Sequence, residues 1–315
     1  MAKLYEVDVN AEINTKVLIK QADVRTAKNG NPYIAFTFQD RSGAMEGKYW
    51  SATEEEINRF QSGRVVHLIG KREVYNQKAQ VRIEQLWVLK EGDPDGNPAL
   101  YMDEPPMSYQ EMTEEVQSFL FKITDSTINR IVRHILKEYG QAFFTYPAAK
   151  RHHHAFTGGL GFHTLSILRL AEHMVKQYPS LDPSLLYGGA LLHDMGKTVE
   201  LSGPIGTEYT IEGNLMGHIV LMEDAITKAC QDLSIDQHNE RVVLLKHMIL
   251  SHHGLLEYGS PVRPQLFEAE VLHCLDNLDA TCNMIQTALD KTAPASYSDR
   301  IFGLDNRAFY KPAER

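Results

Sequence analysis

Twelve of the 14 histidines fall between His152 and His273, a density that helix formation does not explain, because imidazole is a mediocre helix former. A histidine taken alone is an ordinary surface or hydrogen-bonded interior residue. Here the candidates sit on successive apolar helical stretches, where an inward-facing polar group needs a compensating partner. His193 and Asp194, in His193-Asp194-Met195-Gly196-Lys197, close one strongly apolar stretch, and His163 follows Gly161-Phe162 in another. His218 lies in Gly217-His218-Ile219, His252 and His253 end a stretch before Gly254, and Asp276 and Asp279 share a helical face with Leu272 and Leu275. Adjacent helical residues point about 100° apart, so one helix offers an imidazole and a carboxylate to the same ion only near its flank. Other helices must complete the set. Mixed imidazole and carboxylate donors suit Mn²⁺, Fe²⁺, Co²⁺ or Zn²⁺, and the lack of thiolates argues against a structural zinc. A divalent ion lowers the pKa of bound water, and two ions stabilise both the attacking and the leaving oxygen of a displacement at phosphorus. Metal-assisted hydrolysis is the expected chemistry.

Two cationic features border this set. Lys197 lies one turn beyond the His193-Asp194 pair, where it either meets a nonbridging phosphate oxygen or is a solvated lysine complementing a helix C-terminus. The run Lys150-Arg151-His152-His153-His154 precedes Gly158-Gly159 and the His163 stretch. Its side chains either line the mouth of the site and contact phosphate or form a solvated loop.

The elements that must carry these groups follow from periodicity. Ser108 and Glu111 have capping-box spacing, and from there apolar residues recur at three and four almost to the end, so residues 108–315 are expected to be all-α. Asp182-Pro183 marks an N-cap with proline at the first helical position, opening a helix through Leu185, Leu186, Leu191 and Leu192 towards Gly196. Residues 91–107, which include Asp93-Pro94-Asp95-Gly96-Asn97-Pro98 and Pro105-Pro106, read as a linker. Residues 1–90 read as β, with strands over Val17–Val24, Tyr33–Phe38, Met45–Trp50, Val65–Arg72 and Val81–Leu89, and with hairpin turns at Asn29-Gly30, Ser42-Gly43 and Asn76-Gln77. Thr53-Glu54-Glu55-Glu56 starts a helix after the third strand. Five strands with a helix in that place have the order of an OB-fold barrel. Such barrels hold single strands by stacking bases on rings and meeting phosphates with Lys or Arg. The candidates are Tyr33, Arg41, Lys48, Tyr49 and Trp50, while alternation places Phe36 and Phe38 together inside.

The overall charge of −9 is uneven: residues 1–90 carry 14 Lys plus Arg against 11 Asp plus Glu, and the remainder 18 against 30. No run of about 18 apolar residues is present and the N-terminus lacks a signal-like stretch, so no membrane association and a cytoplasmic location are expected. Cys230, Cys274 and Cys282 are few, unclustered and odd in number, which predicts buried free thiols rather than disulfides.

The order His163, His193-Asp194, His218, His252-His253, Asp276 resembles the HD superfamily of metal-dependent phosphohydrolases. The resemblance implies one ion on His163, His193, Asp194 and Asp276, with Asp194 bridging to a second on His218, His252 and His253. Asp279 stands as the alternative to Asp276. Asp194, Lys197 and His218 are the candidate catalytic residues. With Pro147-Ala148-Ala149, His153-His154, Gly158-Gly159-Leu160 and His163-Thr164, the chain as a whole is similar to the bacterial YhaM family of 3′→5′ exoribonucleases. That implies a Mn²⁺- or Co²⁺-dependent enzyme releasing nucleoside monophosphates from single-stranded RNA and also from single-stranded DNA. Lys150, Arg151, His153 and His154 then join the strand-binding candidates, and homo-oligomerisation is expected by family habit. The rival reading is a small-nucleotide or cyclic-dinucleotide phosphohydrolase with a regulatory barrel.

Overall fold

The structure, a computed structural model, describes residues 3–75, 78–90, 92–102, 106–149, 154 and 156–313. Two compact units divide it: Met1–Glu104 with Ser202–Glu208, and Pro105–Leu201 with Tyr209–Arg315.

The first unit is a closed five-stranded barrel of β1 (Glu12–Thr26), β2 (Pro32–Asp40), β3 (Gly43–Trp50), β4 (Val65–Tyr75) and β5 (Lys78–Val88), joined in the order β1-β2-β3-β5-β4. Strand β1 serves two neighbours, β4 through Glu12–Leu18 and β2 through Leu18–Thr26, and a register shift between Ile19 and Gln21 marks its bend. β3 and β5 close the barrel in parallel. Helix α1 (Glu54–Arg59) follows β3 with a full Thr53–Glu56 capping box. This is the OB-fold order, with β1 and β2 longer at both ends than alternation alone delimits, β3 and β5 starting earlier and β4 running on to Tyr75. The β2–β3 turn falls on Arg41-Ser42, one residue earlier than expected, since Asp40 pairs with Gly43. The turn at Asn76-Gln77 lies outside the described residues. Ile13, Val17, Ile34, Phe36, Phe38, Met45, Val66 and Leu68 fill the interior.

The expected linker is largely structured. Asp93 and Asn97 each cap a short 3₁₀ turn that opens on proline, and Lys16 of β1 bonds Asp95 at 2.6 Å and Asp93 at 3.4 Å. These polar side chains satisfy the turn locally and tie it to the barrel, which composition alone does not reveal.

The second unit is helical: α2 (Tyr109–Lys122), α3 (Ser126–Phe143), α4 (Gly159–Gln177), α5 (Pro183–Leu192), α6 (Lys197–Glu200), α7 (Ile211–Asp232), α8 (Glu240–Ser251) and α9 (Phe267–Asp290). A two-residue ribbon of β6 (Ser296–Tyr297) and β7 (Tyr310–Lys311) follows, an addition to the all-α expectation. Helix α5 is the centre. Residues Ser184–Leu192 are all buried, and α5 packs against α2, α3, α4, α8 and α9, as a helix apolar on all sides must. Ser108 and Asp182 cap α2 and α5 as their spacing predicts. Of the three cysteines only Cys230 is buried. Cys274 and Cys282 are exposed, because α9 carries a core face on one side only.

Phe36 is 1% exposed and packs against Phe38 and, edge to face, against Phe60. Phe36→Ala in the full chain should cost the barrel about 3–5 kcal/mol in urea unfolding. A loss below about 1 kcal/mol would show that the barrel interior is not close-packed.

Candidate metal centre

Helix α5 ends by delivering His193 and Asp194 into a buried turn, His193–Gly196, from which α6 departs. The turn can press against α7 because residue 196 has no side chain: a Cβ there would lie 2.2 Å from the His218 carbonyl oxygen. Helix α7 is broken at Gly217, where φ is +74°, a value that favours glycine and swings His218 inward. His163 sits in the first turns of α4, His252 caps the end of α8, and Asp276 and Asp279 are one turn apart on α9.

These elements converge on Asp194, which is 2% exposed. Its Oδ2 lies 3.6 Å from His163 Nε2 and 3.5 Å from His193 Nε2. Its Oδ1 lies 3.4 Å from His218 Nε2 and 3.7 Å from His252 Nε2. His253 completes the Oδ1 side, and Asp276, with Oδ1 3.1 Å from His163 Nε2, completes the other. Two ligand sets thus share one carboxylate: His163, His193 and Asp276 with Asp194 Oδ2, and His218, His252 and His253 with Asp194 Oδ1.

The second nitrogen of each ring decides what the first can do. His193 Nδ1 donates to the Ala190 carbonyl at 2.8 Å, His252 Nδ1 to Ile249 at 2.7 Å and His253 Nδ1 to Tyr258 at 2.6 Å. A carbonyl only accepts, so these Nδ1 atoms carry the proton and the Nε2 lone pairs face the centre. His218 Nδ1 meets Glu200 Oε1 at 3.2 Å, and His163 Nδ1 meets Asp279 Oδ2 at 2.7 Å. Asp279 also bonds Ser166 and the ring of His154. It therefore orients His163 from behind, whereas Asp276 faces the ion side.

Among the described residues, His193 Nε2, His218 Nε2, His252 Nε2 and Asp194 Oδ1 are buried without a hydrogen-bond partner. Four orphaned acceptors aimed at common points would be costly unless a cation meets them, so the residues fit a divalent metal. Charge agrees. Asp194, Asp276, Asp279 and Glu200 gather here, and among the described residues Lys197 is the one lysine bonded among them, Nζ 2.7 Å from Asp194 Oδ2. Burial opposes ionisation of Asp194, yet Lys197 and His193 hold it well below the usual carboxylate range. Burial also pushes His252 down, and takes His253, beside His252, down to about 4. His163 is the exception: burial lowers it, but hydrogen bonds to Asp276 and Asp279 outweigh burial and raise it to about 9.

The other candidates divide. His154 is 3% exposed and bonded to Asp279, so it is interior rather than a phosphate contact at the mouth. Lys150, Arg151 and His153 lie outside the described residues. On the barrel, Tyr33 and Trp50 are cross-strand partners with rings 4.7 Å apart, Trp50 is 57% exposed, and Lys48 Nζ is 5.6 Å from the Trp50 ring. Tyr49 points the other way by strand alternation, packs on Phe60 and donates to Glu56 at 2.5 Å, so it stands apart from that cluster. Arg41 is exposed and donates to the Leu100 carbonyl. Sequence reasoning missed Glu200 and Ser166. Ser166 was findable, three residues after His163 on the same helical face; Glu200 meets its partner only through the break at Gly217.

Comparison with known proteins matches residues 160–281 to the HD domain and residues 17–89 to an OB-fold nucleic acid binding domain. A 3′-5′ exoribonuclease YhaM of Listeria welshimeri serovar 6b is 43% identical over 312 residues, 98% of each chain. A protein of the same name from Geobacillus sp. is 42% identical over 313 residues, 99% of this chain and 96% of the relative.

Asp194→Ala should abolish tight binding of divalent metal at both ligand sets, while Glu200→Gln should weaken it about 10–100-fold, read by metal content after dialysis. Metal retention by Asp194→Ala at the wild-type ratio would exclude Asp194 as the shared ligand. A cation on His163 Nε2 must displace its proton, so binding at pH 7.5 should release a proton, and the release should vanish above a pH of about 9. Calorimetry in buffers of different ionisation enthalpy measures it. No release at pH 7.5 would mean that His163 is already neutral.

Proposed function

The chain belongs to the YhaM family of 3′-5′ exoribonucleases, and on that premise we propose that it shortens single-stranded RNA from the 3′ end, releasing nucleoside monophosphates at the Asp194 centre. The observation that carries this is the pair of imidazole sets facing the two oxygens of one buried carboxylate. His163, His193, Asp194 and Asp276 would hold one divalent cation, and His218, His252 and His253 would share Asp194 with a second. A divalent cation bound there supplies a water activated near neutral pH and charge stabilisation at phosphorus.

The chain's own groups do the rest. The orienting carbonyls, Glu200 and Asp279 keep each imidazole from rotating, so the ligands need no rearrangement as charge develops. Lys197, largely buried against Asp194, holds the shared carboxylate ionised and in place; we assign it a second role as partner for a nonbridging phosphate oxygen. On the barrel, Tyr33 and Trp50 offer stacking faces to bases, with Lys48 beside them for phosphates. Base stacking is indifferent to the sugar, which supports single-stranded DNA as a further substrate. Manganese is the proposed metal, with cobalt, iron and zinc as alternatives, because nitrogen and carboxylate donors without thiolate suit these ions. Three free thiols, two of them exposed, suit a reducing, cytoplasmic setting, and no described helix is long and apolar enough to cross a membrane. Assembly into a homo-oligomer belongs to the same reading.

Incubation with 5′-labelled single-stranded RNA should give a ladder shortening from the 3′ end with Mn²⁺ and none with EDTA. Asp194→Ala should abolish the ladder while leaving strand binding in EDTA within about twofold, since the barrel carries that affinity. Intact RNA together with turnover of a free nucleotide would overturn the exonuclease reading in favour of a small-nucleotide phosphohydrolase.

A further inference from the structure

Helix α9 carries Asp276 and Asp279, and the same face continues through Asn283 and Thr287 to Lys291. At a rise of about 1.5 Å per residue, Asn283 lies roughly 10 Å and Lys291 roughly 22 Å along the helix from Asp276, a span of several steps of a nucleic-acid strand. Beyond Asn283 the chain turns back through β6 and the 3₁₀ turn Phe302–Leu304, and a cavity of about 460 Å³ opens between these segments and α9. Its volume falls within the ~300–1,000 Å³ of small-molecule sites.

The lining is chemically mixed. Lys291 and Arg300 are exposed and, among the described residues, neither is in an ion pair. Tyr297 and Phe302 are 70% and 80% exposed, and the Tyr297 ring is steadied by Tyr310, with centroids 5.2 Å apart. Asp299 contributes carboxylate acceptors, which repel phosphate but suit ribose hydroxyls. Two cations for phosphate, rings for a base and acceptors for a sugar are the complement of one ribonucleotide. The wall is also tied to the metal centre: the His154 amide donates to Asn283 Oδ1 at 3.1 Å, the His154 ring meets Asp279 at 2.7 Å, and Asp279 meets His163 at 2.7 Å.

We propose that this C-terminal cavity is a subsite for one nucleotide of the RNA strand, its phosphate on Lys291 and Arg300 and its base on Tyr297 or Phe302. The inference rests on the exoribonuclease reading of the adjoining centre. A strand held by the cavity and the metal centre together would be gripped at points spaced along α9, which limits how far the scissile phosphate can wander.

The test is the double variant Lys291→Glu/Arg300→Glu on single-stranded RNA with Mn²⁺. Its KM should rise about tenfold or more, and the slope of log KM against log salt should fall by roughly 0.7 for each phosphate that the variant no longer neutralises, which a packing defect would not produce. Melting temperature and metal content report whether the variant is folded. A folded variant with wild-type KM and salt slope overturns the proposal. A second measurement uses wild-type protein in EDTA with RNA carrying 5-iodouridine near its 3′ end: photocrosslinks should map to Tyr297 or Phe302, and crosslinks confined to other segments overturn the proposal. Failure of wild-type protein to shorten RNA would instead sink the exonuclease reading, while the crosslink still decides whether a strand enters the cavity.

Discussion

A single buried carboxylate with its two oxygens turned to different partners is the constraint on which the helical unit is built. Asp194 Oδ2 faces His163 and His193, and Oδ1 faces His218 and His252. Such an arrangement needs four helix ends or faces to reach one point at once. The entirely apolar α5 brings Asp194 to the middle of the bundle, because no side of that helix tolerates water. Gly196 then allows backbone to approach where a side chain would clash, and Gly217 takes the positive φ at which the chain turns.

Placing so many polar atoms in an interior is expensive, and the structure meets the cost in two rings. The outer ring consists of backbone carbonyls and of Glu200 and Asp279, which take every ligand Nδ1 and fix the ring planes. In the inner ring Nε2 of His193, His218 and His252 and Oδ1 of Asp194 are left without a hydrogen-bond partner, a cost that a cation among them would offset. The same low-polarity surroundings push His252 and His253 towards the neutral form that a metal requires. His163 is held instead between two carboxylates, and its proton and a cation compete for Nε2.

The barrel solves a different problem with different means. Its interior is filled by aromatic and aliphatic side chains from alternate positions, which leaves Tyr33, Lys48 and Trp50 on the outer surface as neighbours across β2 and β3. Exposed rings and charges of this kind cost little to display, whereas a buried set of imidazoles and carboxylates needs the large core that the helical unit supplies.

The order of the histidines and aspartates named the candidate ligands through its resemblance to the HD superfamily; local pattern by itself was enough to determine the five strands and their helix, the caps at Ser108 and Asp182, and the burial of Phe36 and Phe38. Each depends on periodicity of two or 3.6 or on a short-range hydrogen bond, which neighbouring residues largely decide. Other features required the folded chain. Tyr49 packed on Phe60 and donated to Glu56. The linker residues Asp93 and Asp95 found Lys16, and His154 left its basic run for the interior to bond Asp279. That Asp276 faces the ion side and Asp279 the back of His163 was equally invisible in a three-residue spacing. These contacts join groups up to 129 residues apart, as at His154 and Asn283, and their energies exist only once distant helices have closed around a shared interior.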